Sequence, residues 1–263
     1  MPTSIMKSMI TVVQEGSVLR VSLNRPEVRN ALNDELIEHL IQVFTTVSPA
    51  IRVIVLAGKG PAFCAGGDLE WMQKAAGYTE EQNRQDALRI AKLFGAIKNC
   101  TAVTIAVVHG AAMGGAGGLI SACDIAISTQ DAKFGFTEVR LGLIPATISP
   151  FVIDRIGPGH ARALFVSGEI FDAERAQRIG LVHDVVPAIE LERTVQKKIR
   201  GILANGPSAS LNSRKLVLDH PLSTEETANR LAATRASAEG KEGITAFLEK
   251  RNAAFVEVYD PAE

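Results

Sequence analysis

The sequence is poor in cysteine, and its cysteines are badly spaced for a structural bond or a metal site. Cys64, Cys100 and Cys123 are odd in number, widely scattered and without CxxC spacing. This pattern argues against a disulfide framework and against a structural zinc site. We therefore expect no metal centre and a cytoplasmic location, where thiols stay reduced.

The chain also lacks an excess of charge of either sign and a long apolar run. It has 28 Lys and Arg against 29 Asp and Glu, so nothing indicates binding to nucleic acid or to an anionic membrane. No stretch reaches the roughly 18 apolar residues of a membrane span. The segment 1–10 has too short an apolar run for a signal peptide. We expect no membrane partner and no export signal.

What the chain does have is an alternation of predicted strands and helices. Residues 9–13 and 18–23 predict a β-hairpin, and three further apolar stretches predict buried strands, at 52–57, 101–109 and 124–128. Amphipathic helices fall between them, one beginning after the helix cap Asn33 and one at 79–97. This alternation predicts an α/β fold with a mainly parallel sheet. From about Leu191 onward the pattern is wholly helical.

Two glycine-rich segments follow predicted strands, Gly58–Asp68 and Gly110–Leu119. Small residues allow a ligand to approach the backbone closely, and N–H groups at a helix start point at negative charge. Together the segments predict an oxyanion hole, with tight turns as the alternative interpretation. Neither segment contains a complete dinucleotide-binding G-x-G-x-x-G motif or a P-loop.

Motifs along the whole chain resemble, in order, those of the crotonase (enoyl-CoA hydratase/isomerase) superfamily. They are Arg25-Pro26 with Asn30-Ala31-Leu32, then 63–68, 109–115, 123–126, 134–138, 141–145, 180–182 and 247–251. The resemblance implies a crotonase-like spiral of ββα units over residues 1–190. It further implies a C-terminal helical trimerisation region over residues 191–263, and thus a homotrimer or a hexamer built as a dimer of trimers.

The resemblance also implies the site residues. Glu138 matches a catalytic glutamate that exchanges a proton at the α-carbon, and the oxyanion hole falls on the backbone amides of Ala65 and Gly115. Residues implied to bind the CoA thioester are Arg29, Ala31, Ala65, Gly66, Gly67, Asp68, Leu69, Trp71, Gly115 and Lys250. Coenzyme A enters as part of the substrate, so no separate cofactor is expected.

The chain departs from the family pattern at Gly118, where hydratases carry their first catalytic glutamate. This departure leaves open an isomerase or a C–C bond-forming synthase, and a much weaker alternative is an RNA-binding module. Residues 137–151 and 68–72 nevertheless resemble bacterial 3-methylglutaconyl-CoA and isohexenylglutaconyl-CoA hydratases. We therefore predict hydration of a branched glutaconyl-CoA. We also expect the missing side chain at Gly118 to leave space where the substrate's distal carboxylate helps to orient water.

Overall fold

The computed structural model describes residues 9–260 and consists of two β-sheets surrounded by helices. The segment 1–10, for which we expect no signal peptide, therefore lies mostly outside the described residues. The strands are β1 Ile10–Glu15, β2 Val18–Leu23, β3 Val53–Gly58, β4 Val103–Val108, β5 Ala111–Met113, β6 Ile125–Thr129, β7 Lys133–Gly135, β8 Ile170–Asp172 and β9 Asp184–Val186. The main sheet has the order β1-β2-β3-β4-β6-β9, and β5-β7-β8 form a small second sheet.

Only the β1–β2 hairpin of the main sheet is antiparallel, and its other neighbouring strands run parallel. The predicted parallel sheet is therefore confirmed. Parallel neighbours present their carboxyl ends at one edge, which is where ligands of such sheets usually bind. The segments that follow β3 and β4 leave the sheet at this same edge, because the register pairs Ala57 with Val107.

Several of the helices begin at a side chain that caps them. The helices are α1 Asp34–Thr45, α2 Leu69–Ala75, α3 Glu80–Lys98, α4 Gly115–Ala122, α5 Ser149–Ser167, α6 Ala173–Arg178, α7 Leu191–Leu203, α8 Pro207–Leu218, α9 Thr224–Ala236 and α10 Ala238–Leu248. Asn33 accepts from Leu36 N, and Thr79 with Gln82 forms a capping box, as capping preferences predict. No helix within residues 9–260 is long and apolar enough to cross a bilayer.

The two faces of the main sheet are covered by different helices. Helices α1, α3, α4 and α5 bury the larger core, whereas α7 covers the opposite face through Val195, Ile199 and Leu203. Helix α8 is joined to the sheet by Arg214, whose guanidinium lies 3.1 Å from the Asp124 carboxylate. The C-terminal part is helical as predicted, and its first helix packs on the sheet itself.

Candidate active site

The two glycine-rich segments lie side by side and are bonded to each other. Cys64 N donates to Ala111 O at 3.1 Å, and Met113 N donates to Cys64 O at 3.0 Å. We name residues 64–68 the first glycine loop and residues 113–118 the second glycine segment. Gly66 has φ +101°, and a Cβ there would lie 3.2 Å from Met113 O, so glycine permits both this backbone conformation and this contact.

The amide of Ala65 does not face the space between these segments. Its N–H donates to Arg29 O at 2.9 Å, and the preceding carbonyl, Cys64 O, accepts from Met113 N. Because the N–H is already engaged by the chain's own backbone, it is not available to a substrate oxygen. The predicted role of the Ala65 amide as an oxyanion donor is therefore wrong.

The Gly67 amide is presented instead. Leu32 N donates to Gly66 O at 2.7 Å, and the C=O and N–H of a trans peptide point in opposite directions. The Gly67 N–H thus points away from Leu32, and no acceptor for it occurs among residues 9–260. Gly66 N also lacks an acceptor in that range, but Gly66 is buried whereas Gly67 is exposed. A ligand can reach Gly67.

Gly115 opens α4, so its N–H has no partner within the helix. The residue is half-buried, and a Cβ there would lie 2.8 Å from Leu32 Cδ1. The backbone of Leu32 orients the Gly67 peptide while its side chain packs on Gly115. One residue therefore contacts both segments, and the structure supplies two outward-facing amides, those of Gly67 and Gly115.

The carboxylate of Glu138 lies beside Gly114, at the point where the second glycine segment approaches Gly66 of the first glycine loop. Its Oε1 is 3.3 Å from the point where a Cβ of Gly114 would sit, and Gly66 Cα is 3.9 Å from that same point. Its Oε2 is buried without a hydrogen-bond partner among the described residues. Burial raises the pKa of the Glu138 carboxyl group above its usual value. An unpaired buried carboxylate is costly, and such groups are characteristic of acid–base sites.

Gly118 leaves no empty space. A Cβ at this position would lie 2.5 Å from Phe94 Cζ and 2.7 Å from Ile148 Cγ2. Phe151 packs edge-on against Phe94, with ring centroids 5.6 Å apart. Apolar side chains thus occupy the volume that a glutamate would need. The expectation that Gly118 leaves room for water beside a substrate carboxylate is wrong, and Gly118 has no group for acid–base chemistry.

Two further predicted residues, Asp68 and Trp71, lie directly beside Gly67. Asp68 is buried and caps α2 by accepting from Glu70 N and Trp71 N. The Trp71 ring comes 3.9 Å from a Cβ position at Gly67, and its indole Nε1 is buried without a partner in the described chain. A buried indole N–H usually finds an acceptor. Trp71 therefore borders the candidate acyl site.

The remaining predicted residues surround this centre more loosely. Arg29 is exposed with φ 53°, and Ala31 is buried, its carbonyl accepting from the Arg25 guanidinium at 2.5 Å. Leu69 is 82% exposed at the start of α2. Lys250 is exposed just after α10, and no described hydrogen bond or ion pair joins it to the glycine segments. Arg25 and Leu32 belong to the first of the family-like motifs, but that motif assigned neither residue a role in this arrangement.

Comparison with known proteins assigns this arrangement to a family. The sequence matches the enoyl-CoA hydratase/isomerase family over residues 13–258. The chain belongs to this family. A crotonyl-CoA hydratase of Syntrophomonas wolfei is 34% identical to it, covering 94% of this chain and 97% of that protein. A 2,3-dehydroadipyl-CoA hydratase of Escherichia coli is 31% identical, covering 94% and 98% respectively.

The solved structures agree with this assignment. The structure of Pseudomonas aeruginosa AtuE matches with a TM-score of 0.91 and 33% identity, covering 95% of this chain and all of that one. This enoyl-CoA hydratase/isomerase family member therefore has the crotonase fold that the motifs implied. It is an enzyme of the enoyl-CoA hydratase type, a hydro-lyase that takes acyl-CoA thioesters.

Proposed function

We propose that this enzyme hydrates a branched glutaconyl-CoA, with Glu138 as the single acid–base group and the amides of Gly67 and Gly115 as the oxyanion hole. The observation that carries the proposal is the position of the Glu138 carboxylate beside Gly114, where its Oε2 is buried without a hydrogen-bond partner among the described residues. The other carboxylate at the first glycine loop, Asp68, is bonded to Arg25. Glu138 is thus the carboxylate with free acceptor capacity at this place.

The chemistry balances with one carboxylate. The Glu138 carboxylate accepts a proton as water adds to C3, and the electrons of the C2–C3 double bond move onto the thioester oxygen. The N–H groups of Gly67 and Gly115 stabilise that enolate, each donor contributing about 3–4 kcal/mol. Glu138 then returns the proton to C2, which gives the 3-hydroxyacyl thioester. Because one group serves both steps, water and proton add to the same face.

The sequence pattern and one relative support the proposed branched, acid-bearing acyl group. Residues 137–151 and 68–72 resemble hydratases of 3-methylglutaconyl-CoA and isohexenylglutaconyl-CoA. The name of one relative, 2,3-dehydroadipyl-CoA hydratase, describes a substrate that is likewise an enoyl thioester with an acid group. Phe94 and Ile148 are buried and fill the space beside Gly118, so the proposal needs no second carboxylate of the protein at that position. Coenzyme A is part of the substrate, and no further cofactor enters this scheme.

The decisive experiment compares substrates and one variant. We expect kcat/KM for 3-methylglutaconyl-CoA to exceed that for 3-methylcrotonyl-CoA at least about 100-fold, because a site built for a carboxylate rejects an analogue that lacks it. Loss of enoyl-thioester absorbance measures the rate. Glu138→Gln should lower kcat about 10²–10⁴-fold. Glu169→Gln, an exposed carboxylate paired with Arg175, is the control and should keep wild-type kcat.

Two results would contradict this function. If Glu138→Gln retains more than about a tenth of wild-type kcat, general acid–base catalysis by this residue is excluded. If the product has the mass of the substrate, without the added water, the enzyme is an isomerase. An isomerase is the alternative that the site allows, because one carboxylate and two amides suffice to move a proton between carbons.

We also propose that the enzyme is a cytoplasmic homotrimer or a hexamer of paired trimers. Large apolar side chains are exposed on its surface, among them Phe247 at 81%, Leu248 at 73% and Ile144 at 74%. Phe247 and Leu248 are neighbours in the chain, and exposed apolar side chains that lie together favour protein contacts. Light scattering coupled to size-exclusion chromatography distinguishes three, six or one copy.

A further inference from the structure

The two carboxylate oxygens of Asp68 serve different partners. Oδ1 accepts from Glu70 N at 2.9 Å and Trp71 N at 3.2 Å, whereas Oδ2 accepts from Arg25 Nη2 at 2.7 Å. The Asp68 N–H donates to Leu32 O at 2.9 Å. The residue that follows Gly67 is therefore fixed by its backbone and by both oxygens of its side chain.

The guanidinium of Arg25 bridges the two sides of this loop. Besides Asp68 it binds Ala31 O at 2.5 Å, next to Leu32, which orients the Gly66–Gly67 peptide. Arg25 is itself fixed, since its N–H donates to the Asn30 side chain at 2.9 Å. The two N–H groups of the Arg25 guanidinium thus set the distance between Ala31 and Asp68. The Gly67 amide lies between these two residues.

We propose that Arg25 is a positioning residue for the oxyanion hole, acting through Asp68 to aim the Gly67 N–H at the substrate oxygen. The inference rests on the proposed function, because it takes Gly67 as an oxyanion donor. Two separate N–H groups of one planar fork make the two contacts, and a lysine ammonium on a flexible stem does not reproduce that geometry. Arg25 does not contact the reacting atoms.

Arg52 provides a matched control elsewhere in the fold. The side chains of Arg25 and Arg52 are similarly buried, at 13% and 12% exposure. Arg52 likewise binds carbonyl oxygens, those of Leu203 at 3.2 Å and Phe255 at 2.9 Å. It precedes β3, whereas the first glycine loop follows β3. Its loss should reduce stability without turning the Gly67 peptide.

The test measures carbonyl polarisation directly. Butyryl-CoA labelled with ¹³C at the thioester carbon is saturated and does not react, and its bound C=O stretch is read by difference infrared spectroscopy. Wild type should lower the frequency relative to free ligand. Arg25→Met should lose most of that shift and should lower kcat on crotonyl-CoA about 10–100-fold, with a smaller change in KM. Arg25→Lys should recover part of both, and Arg52→Met should keep the wild-type shift.

Asp68→Asn decides the same point if Arg25→Met does not fold. Asparagine is a good helix cap, but its single acceptor oxygen cannot serve both α2 and Arg25, so we expect the shift to be lost. A full carbonyl shift in folded Arg25→Met or in Asp68→Asn would overturn the positioning role alone. An absent shift in wild type would overturn the oxyanion assignment of the proposed function, and this inference with it.

Discussion

Gly67 in the first glycine loop is held by polar contacts, whereas Gly117 and Gly118 in the second glycine segment are held by apolar ones. Gly67 lies between the Leu32 backbone and the Arg25–Asp68 ion pair. In the second segment, a Cβ at Gly117 would lie 2.4 Å from Phe136 Cε1, and Gly118 is similarly covered by Phe94. Hydrogen bonds fix the direction of a peptide, and close packing fixes its position. The two amides of the proposed oxyanion hole are thus aimed by different forces.

The carboxyl groups of Asp68 and Glu138, which lie at these two segments, differ in the direction of their pKa shifts. Burial alone would raise the pKa of Asp68, but hydrogen bonds from the Arg25 guanidinium and from the Trp71 and Glu70 N–H groups lower it below its usual value. Asp68 therefore stays ionised and paired. The Glu138 side chain is half-buried, its Oε2 has no hydrogen-bond partner among the described residues, and burial raises its pKa. A carboxylate serves structure at Asp68, whereas proton transfer is the role that we propose for the carboxylate of Glu138.

The largest effect should come from breaking the apolar packing at Gly118. We expect Gly118→Glu to destabilise the fold by several kcal/mol and to abolish turnover, because the side chain overpacks against Phe94 and brings an unpaired charge into the core. Thermal unfolding followed by circular dichroism measures the loss. Gly159→Glu is the control, since a Cβ at Gly159 meets nothing within 4 Å.

A Gly118→Glu variant with native stability and faster hydration would contradict this expectation. That result would mean that Phe94 moves aside and that a second carboxylate is readily accommodated. The second glycine segment would then be as adjustable as the first, and the contrast between them would fail.

Next in size is the loss of one amide from the second segment. Gly115→Pro deletes the N–H at the first position of α4, where proline suits a helix. We expect kcat to fall about 10²–10³-fold with a native circular dichroism spectrum. Gly115→Ala keeps the N–H and adds the same Cβ against Leu32, so it separates the lost donor from crowding. Equal activities of the two variants would show that crowding, not the amide, matters.

The smallest effect expected is a change in the pH profile, which concerns Glu138, the carboxylate beside Gly114 of the second segment. Hydration requires Glu138 as a carboxylate, so kcat/KM should fall about tenfold per unit as pH drops below its raised pKa. The midpoint should lie above the ordinary value of about 4.3 for glutamate. With a single acid–base carboxylate, no second carboxyl group has to stay protonated, so kcat/KM should not fall again as the pH rises. A bell-shaped profile that vanishes in Glu138→Gln would indicate a second ionising partner.

Local signals in the sequence predicted most of the elements. Asn33 and Thr79 begin helices because their side chains cap the nearest N–H groups, and the apolar runs became β3, β4 and β6. Glu138, which the motifs predicted to be catalytic, lies beside Gly114 in the structure, and its role stays a prediction. The prediction for Ala65 was wrong because its amide is bonded to Arg29, a residue in a turn that is distant along the chain. A motif specifies which residues form a loop, but not which of their peptides turns outward.

By itself the sequence determined the strand–helix alternation, the glycines that permit close backbone contact, and the carboxylate of Glu138. These follow from periodicity, from the absence of a Cβ, and from chemistry that a residue carries wherever it lies. Only the tertiary structure decided that Gly67 presents its amide and that Gly118 is filled. Both depend on residues far along the chain: Leu32 orients one peptide, and Phe94 with Ile148 occupies the space beside the other.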